Sequence, residues 1–172
     1  MATPTLTEVD FTRIASEASE QFTEEYYSAL DGARDTLVNY YVPSQSQPTG
    51  RTMPHISYNG DSVEDPMTFQ QAYVNEMPWT HFEIQSLNAH IVNPKLSPTE
   101  GKTKKELERN VSISVQVSGS VRLHERASGP VKSFSDSFVL VPNKEELGAK
   151  GTGKQDHGKR WLIQSQTFRF VS

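Results

Sequence analysis

Residues 111–123 read VSISVQVSGSVRL and alternate apolar with polar along their length. Val111, Ile113, Val115, Val117, Val121 and Leu123 share one parity, while Ser112, Ser114, Gln116, Ser118, Ser120 and Arg122 share the other. A two-residue period held this long specifies a β-strand with one buried face, and hence a sheet covered on one side. The other parity is polar but nearly free of charge, and its serines are short enough to let a second surface approach. A face made only for water would more often carry Lys and Glu. This parity is therefore read as a surface for another protein chain, with Ser135 and Ser137 extending it on the next strand.

The 172 residues suffice for one domain with a substantial core. No cysteine is present, which excludes disulfides, zinc–thiolate sites and thiol catalysis. No apolar run approaches transmembrane length, and the opening MATPTLTEVD does not read as a secretory signal, so a cytosolic or nuclear protein is expected. Asn110-Val111-Ser112 fits a glycosylation sequon, with nothing to place it in the secretory pathway. The net charge of −4 is unevenly spread: residues 95–109 and 144–160 each hold five Lys/Arg and three acids, so each segment carries +2 and the remainder −8. That balance argues against a general nucleic-acid coat but allows local phosphate contacts.

Along the chain, helices come first. Thr7 and Asp10 form a capping-box-like pair, Leu6 and Phe11 a hydrophobic staple, and Phe11, Ile14, Ala18, Phe22, Tyr26, Ala29 and Leu30 follow at helical spacing. Asp31-Gly32 interrupts this helix. A shorter one is expected over 33–41, stopped by Val42-Pro43. Residues 43–54 read as loop, 55–58 as a short strand before an Asn59-Gly60 turn, and Asp65-Pro66 as the start of a helix bearing Phe69, Tyr73 and Met77. From residue 80 the pattern is strand, with a parity switch that predicts a β-bulge near 85–86. A polar insertion at 94–110 precedes strands at 111–124, 131–142 and 160–171, and a Gly- and Lys-rich loop spans 143–159. This order predicts an α+β domain over 7–172, after a short tail at 1–6, with helices packed on one face of a four-strand antiparallel meander.

These pieces, in this order, resemble the nuclear transport factor 2-like family. The segments are FTEEYYSALD at 22–31, LVNYY at 37–41, ISYNG at 56–60, HFEIQSL at 81–87, VSGSV at 117–121, FSDSFVL at 134–140 and FRF at 168–170. VSGSVRLHE and the FRF tail resemble the branch comprising small subunits of messenger-RNA export receptors. The two insertions resemble its fungal messenger-RNA transport regulators. The resemblance implies a cone-shaped domain with helices on one face of a curved antiparallel sheet. It also implies a non-enzymatic adaptor that needs no cofactor or metal. Its partner would be a larger export subunit with a domain of the same fold, the two meeting sheet to sheet. The pair would bind Phe-Gly repeats of the nuclear pore and shuttle between nucleus and cytoplasm.

Several residues carry more specific expectations. The partner face comprises Ser114, Gln116, Ser118, Ser120, Arg122, Ser135, Ser137 and Arg169. With Phe168 and Phe170 pointing inward, Arg169 points outward, and the resemblance implies that it meets a carboxylate of the larger subunit. Lys102, Lys104 and Lys105, with Lys150, Lys154, Lys159 and Arg160, are candidates for contact with RNA phosphates or pre-ribosomal particles. No aromatics interleave with them, so base stacking is not indicated. Gly148, Gly153 and Lys154 imitate a phosphate-binding loop, but position 155 is Gln and no helix is expected after it, so a plain connecting loop is the reading.

Two rival readings remain. Some relatives of the family are isomerases or dehydratases with an acid or histidine inside the cone. Asp136 lies on the inward parity, where His55, Tyr58 and His90 are candidates to approach it; a hydrogen-bonded structural aspartate is the alternative. The five histidines lack metal-ligand spacing. The second rival is a homodimeric import carrier for a small GTPase, which Asn88, standing where an acid is expected, weakens.

Overall fold

The computed structural model describes residues 4–46, 52–98, 102–143 and 160–171. Helix α1 (Glu8–Gly32) starts as its sequence demands: Thr7 Oγ1 accepts from Asp10 N at 3.2 Å, and Asp10 Oδ2 accepts from Thr7 N at 2.9 Å. Leu6 and Phe11 pack, half-buried, against the core, and Ile14, Ala18, Phe22, Tyr26, Ala29 and Leu30 are buried.

The shorter helix expected after α1 forms as a 3₁₀ helix (Arg34–Tyr40). Its buried residues Leu37 and Tyr40 are three apart, the spacing that aligns side chains at three residues per turn. The Gln70 side chain accepts from Val38 N at 2.8 Å, diverting a donor that an α-helix would use. The region read as loop contains a two-residue strand pair, β1 (Gln45–Ser46) and β2 (Thr52–Met53).

Strands β3 (His55–Tyr58) and β4 (Asp61–Val63) form a hairpin through Asn59 and Gly60, whose φ values of 52° and 90° fit the type I′ turn favoured by Asn-Gly. Helix α2 (Pro66–Asn75) is capped by Asp65, which accepts from Thr68 N at 2.8 Å, and has Pro66 in its first turn. Four long strands follow: β5 (Thr80–Asn93), β6 (Ser112–Leu123), β7 (Val131–Pro142) and β8 (Trp161–Val171). Between β5 and β6, the insertion folds a short helix, α3 (Lys104–Glu108).

The expected antiparallel meander is present, but the sheet is larger and mixed. Its order is β4-β3-β8-β7-β6-β5, with β3 parallel to β8 and the other pairings antiparallel. Register shifts between Ile84 and Ser86, and between Val139 and Leu140, mark bulges that bend the sheet around the helices. The first lies where the parity switch predicts it. Opposite that bulge, Gly119 is required by space: a Cβ there would lie 2.0 Å from the Glu83 carbonyl oxygen.

The core lies between α1 and the sheet and is rich in aromatic rings. Phe22 stacks on Tyr26 at 5.4 Å, Tyr58 on Phe168 at 4.6 Å, and Phe134 packs between Phe82 and Phe168. Arg34 ties the helices together from outside this core. Its guanidinium donates to the carbonyls of Leu30, Tyr73, Met77 and Pro78 and to Thr80 Oγ1, at 2.7–3.1 Å. One side chain thus satisfies carbonyls at the ends of both α1 and α2, where intrahelical donors run out. Asn110, the sequon asparagine, is 2% exposed and its carboxamide pairs with the Ser97 backbone in both directions, so the folded chain offers no acceptor there. Among the described residues, no helix is long and apolar enough to cross a membrane.

Candidate protein-binding face

Strand pairing sets the predicted residues side by side on the sheet face away from α1. One cross-strand row runs Asn88, Gln116, Ser137, Thr167, Ser57; the next runs Ser86, Ser118, Ser135, Arg169. Gln116, Ser118, Ser135, Thr167 and Arg169 are exposed, while Ser114, Ser120, Ser137 and Arg122 are half-buried. The intervening residues Val115, Val117, Phe134, Phe138 and Phe168 are all at most 2% exposed, so the two faces are cleanly separated. Among the described residues, the side chains of Ser114, Gln116, Ser118, Ser120, Ser135 and Ser137 make no hydrogen bonds within the chain. They are left for water or another surface.

Arg169 projects from this face at the end of its row, between the inward Phe168 and Phe170, with no ion pair among the described residues. Arg122 differs from the other predicted interface residues. Its Nη1 donates to the Gly129 carbonyl at 2.7 Å, inside the tight β6–β7 connection. Part of its donor capacity is therefore spent holding that turn. Gly129 fits there because a Cβ would lie 1.8 Å from the Leu123 carbonyl oxygen.

The face changes character where β7 ends and β8 begins. Val141 and Leu162 pair across the strands on the outward parity, yet are only 9% and 8% exposed. Tyr41 bridges to Ile163 in parallel, and Val42 N donates to the Ile163 carbonyl at 3.0 Å. The chain at 42–45 therefore runs along the β8 edge and walls this end. Sequence reasoning missed this region, although a signal was present. Residues 138–141 read FVLV, an unbroken apolar run, as expected for a strand segment covered on both faces.

The basic residues divide into several situations. Lys102 and Lys105 are exposed. Lys104 Nζ lies 3.4 Å from Asp10 Oδ1, at the start of α1. Beside it, Arg13 pairs with Glu108, so α3 is anchored to α1 by charge. The Asp10 carboxyl is held below its usual range chiefly by the Thr7 backbone N–H, with Lys104 adding to the effect. Lys150, Lys154 and Lys159 lie outside the described residues, as do Gly148 and Gly153. Arg160 is exposed, and its carbonyl accepts from Arg109 Nη2 at 3.2 Å, while the Arg109 guanidinium lies over Trp161. The insertion therefore touches the point where the second basic segment rejoins the sheet.

Asp136 is fully buried, but His55 and His90 do not approach it: both are exposed. Tyr58 directs its hydroxyl to Tyr73 at 3.3 Å. Asp136 instead accepts from Tyr27 Oη at 2.8 Å and from Gln166 Nε2 at 3.2 Å. Gln166 in turn meets Tyr41 and Tyr26, whose hydroxyls lie 2.8 Å apart. Burial pushes the Asp136 carboxyl well above its usual range, a shift that the hydrogen bonds from Tyr27 and Gln166 only partly oppose. Residues on α1, the 3₁₀ end, β7 and β8 thus form one closed polar network in which the Asp136 carboxyl group accepts from Tyr27 and Gln166.

The chain shares its fold with solved structures of nuclear transport factor 2-like proteins. "Chaetomium thermophilum Mex67 NTF2-like domain complexed with Mtr2" contains a chain that superposes with a TM-score of 0.72 at 21% identity, over 92% of this chain and 99% of that one. A chain of "Sac3N peptide bound to Mex67:Mtr2" gives 0.71 at 20% identity with the same coverage. A putative scytalone dehydratase from Novosphingobium aromaticivorans gives 0.57 at 10% identity, over 95% of this chain and 89% of that one. No protein-family model matches the chain, and no curated protein matches it either.

Proposed function

We propose that the chain is a non-enzymatic adaptor, the small subunit of a heterodimeric messenger-RNA export receptor. It docks by its Ser-rich sheet face on the nuclear transport factor 2-like domain of a larger subunit. The observation that carries this reading is the face itself: rows of uncharged side chains that make no hydrogen bonds among the described residues, with an exposed arginine at the end of one row. Likeness in fold to Mtr2, solved in complex with Mex67, supports the choice of partner. The closed network at Asp136 favours an adaptor over the isomerase or dehydratase reading, since both carboxyl oxygens are already occupied by Tyr27 and Gln166.

In this reading the heterodimer binds Phe-Gly repeats and shuttles between nucleus and cytoplasm through the pore. Such contacts must form and dissociate quickly, a requirement on rates rather than on tight binding. Lys102, Lys104, Lys105, Lys150, Lys154, Lys159 and Arg160 contact RNA or pre-ribosomal particles through phosphates. Charge reversal there is expected to lower RNA retention by the complex at low salt. Unaltered retention would remove these residues from the reading.

The principal test is Arg169→Glu. An arginine desolvated against a partner carboxylate carries specificity, and its reversal is expected to weaken the heterodimer by roughly 2–5 kcal/mol. Titration calorimetry of the chain with the larger subunit's domain measures it. Wild-type affinity in the variant would exclude Arg169 from the interface.

A further inference from the structure

The walled end of the outer face forms a groove of about 870 Å³. Val141 and Leu162 supply strand residues; Val42, Met53, Met67 and Leu96 come from the segments around them. None of its lining residues is charged, in a chain where charged residues make up 22%. Helix α2 alongside reads PMTFQQAYVN, also without a charge, and leaves Met67 and Val74 45% and 50% exposed. An uncharged groove does not favour a charged occupant, because the charge would lose water and gain no partner. Gln164, also lining it, offers an amide to a peptide backbone.

We propose that this groove receives an apolar segment of the same partner chain that covers the Ser-rich face. The proposal rests on the heterodimer reading above and enlarges its interface. Continuity argues for this occupant. Leu162 lies on the same outward side of β8 as Thr167 and Arg169, and five residues of strand, about 17 Å, separate Leu162 from Thr167. A domain lying on the serine rows reaches the groove with one short extended segment. The groove's volume falls within the range of about 300–1,000 Å³ typical of sites that enclose a ligand. A polar face joined to an apolar cleft also supplies what the serine rows lack, a place where buried apolar area can anchor the complex.

The test titrates the larger subunit's nuclear transport factor 2-like domain, from the same genome, into wild type, Met67→Lys, the double variant Met67→Lys/Leu96→Lys, and Arg169→Glu. Thermal melts of each chain accompany the titrations. The double variant is expected to raise Kd at least tenfold, with Met67→Lys alone raising it severalfold. Should the double variant melt without cooperativity, Met67→Lys decides, since that side chain is already largely exposed. Wild-type Kd in a folded groove variant, alongside weakened Arg169→Glu, would place the groove outside the interface and overturn this inference alone. Failure of wild type to bind would overturn the heterodimer reading and this inference with it.

Discussion

At Asp136 a carboxyl group sits fully enclosed among tyrosines, and among the described residues no cation pairs with it. Its pKa in the folded chain is raised above the unfolded value of about 3.9. Between those two values the folded chain holds a proton that the unfolded chain has released. Stability from this group is therefore full below about pH 4 and falls as pH rises toward the folded pKa. Asp136→Asn removes that titration while keeping an acceptor for Tyr27. The difference in urea midpoint between wild type and variant is expected to move in favour of the variant as pH rises from 4 to 8. A difference independent of pH would show that Asp136 does not titrate abnormally. Arg34 is the other residue whose role its identity conceals. Arg34→Ala leaves carbonyls of two helices without their donor and is expected to cost about 3 kcal/mol, read from denaturant midpoints. The sequence placed Asp136 on the inward parity, because alternation alone decides that. It carried no sign that Gln166 and Tyr27, 30 and 109 residues away, would meet it.

Elements were legible wherever a local rule dictates them. The capping box at Thr7, the Asn59-Gly60 turn, the Asp65-Pro66 helix start and the bulge beside Gln85 each depend on a few neighbouring residues, and each forms. What escaped depends on distant partners. The 3₁₀ segment owes a diverted donor to Gln70, and β3 reaches its place beside β8 only through tertiary packing. Gly119 shows how narrowly the β5–β6 pairing is fitted. Gly119→Ala sets a methyl group against the Glu83 carbonyl, and the strands must separate or shift. A loss of roughly 2–3 kcal/mol is expected, within the range for overpacking. Hydrogen exchange should accelerate first in β5, the outermost strand of that side.

For the molecule as a whole, the uncharged face makes oligomeric state the informative quantity. The isolated chain is expected to run as a monomer or as ill-defined associations, and to yield more soluble protein when produced with its larger partner. Light scattering during size-exclusion chromatography measures this; a stable homodimer sealed through the serine rows would favour the carrier reading instead. The outward serine rows were legible, since parity and lack of charge can be read along a strand. The apolar groove at their end was not, because six separate stretches of the chain assemble it.

The parallel contact between β3 and β8 has a temporal consequence. Ile56 faces Gln166 across the ladder, so a strand made early in synthesis waits for roughly a hundred further residues to leave the ribosome before its neighbour exists. Sequence-distant pairings of this kind slow folding and lengthen the exposure of unsatisfied strand edges. During that interval the apolar stripe of α1 has no finished sheet to lie on. Until β8 emerges, that apolar stripe and the open edge of β3 remain exposed to association.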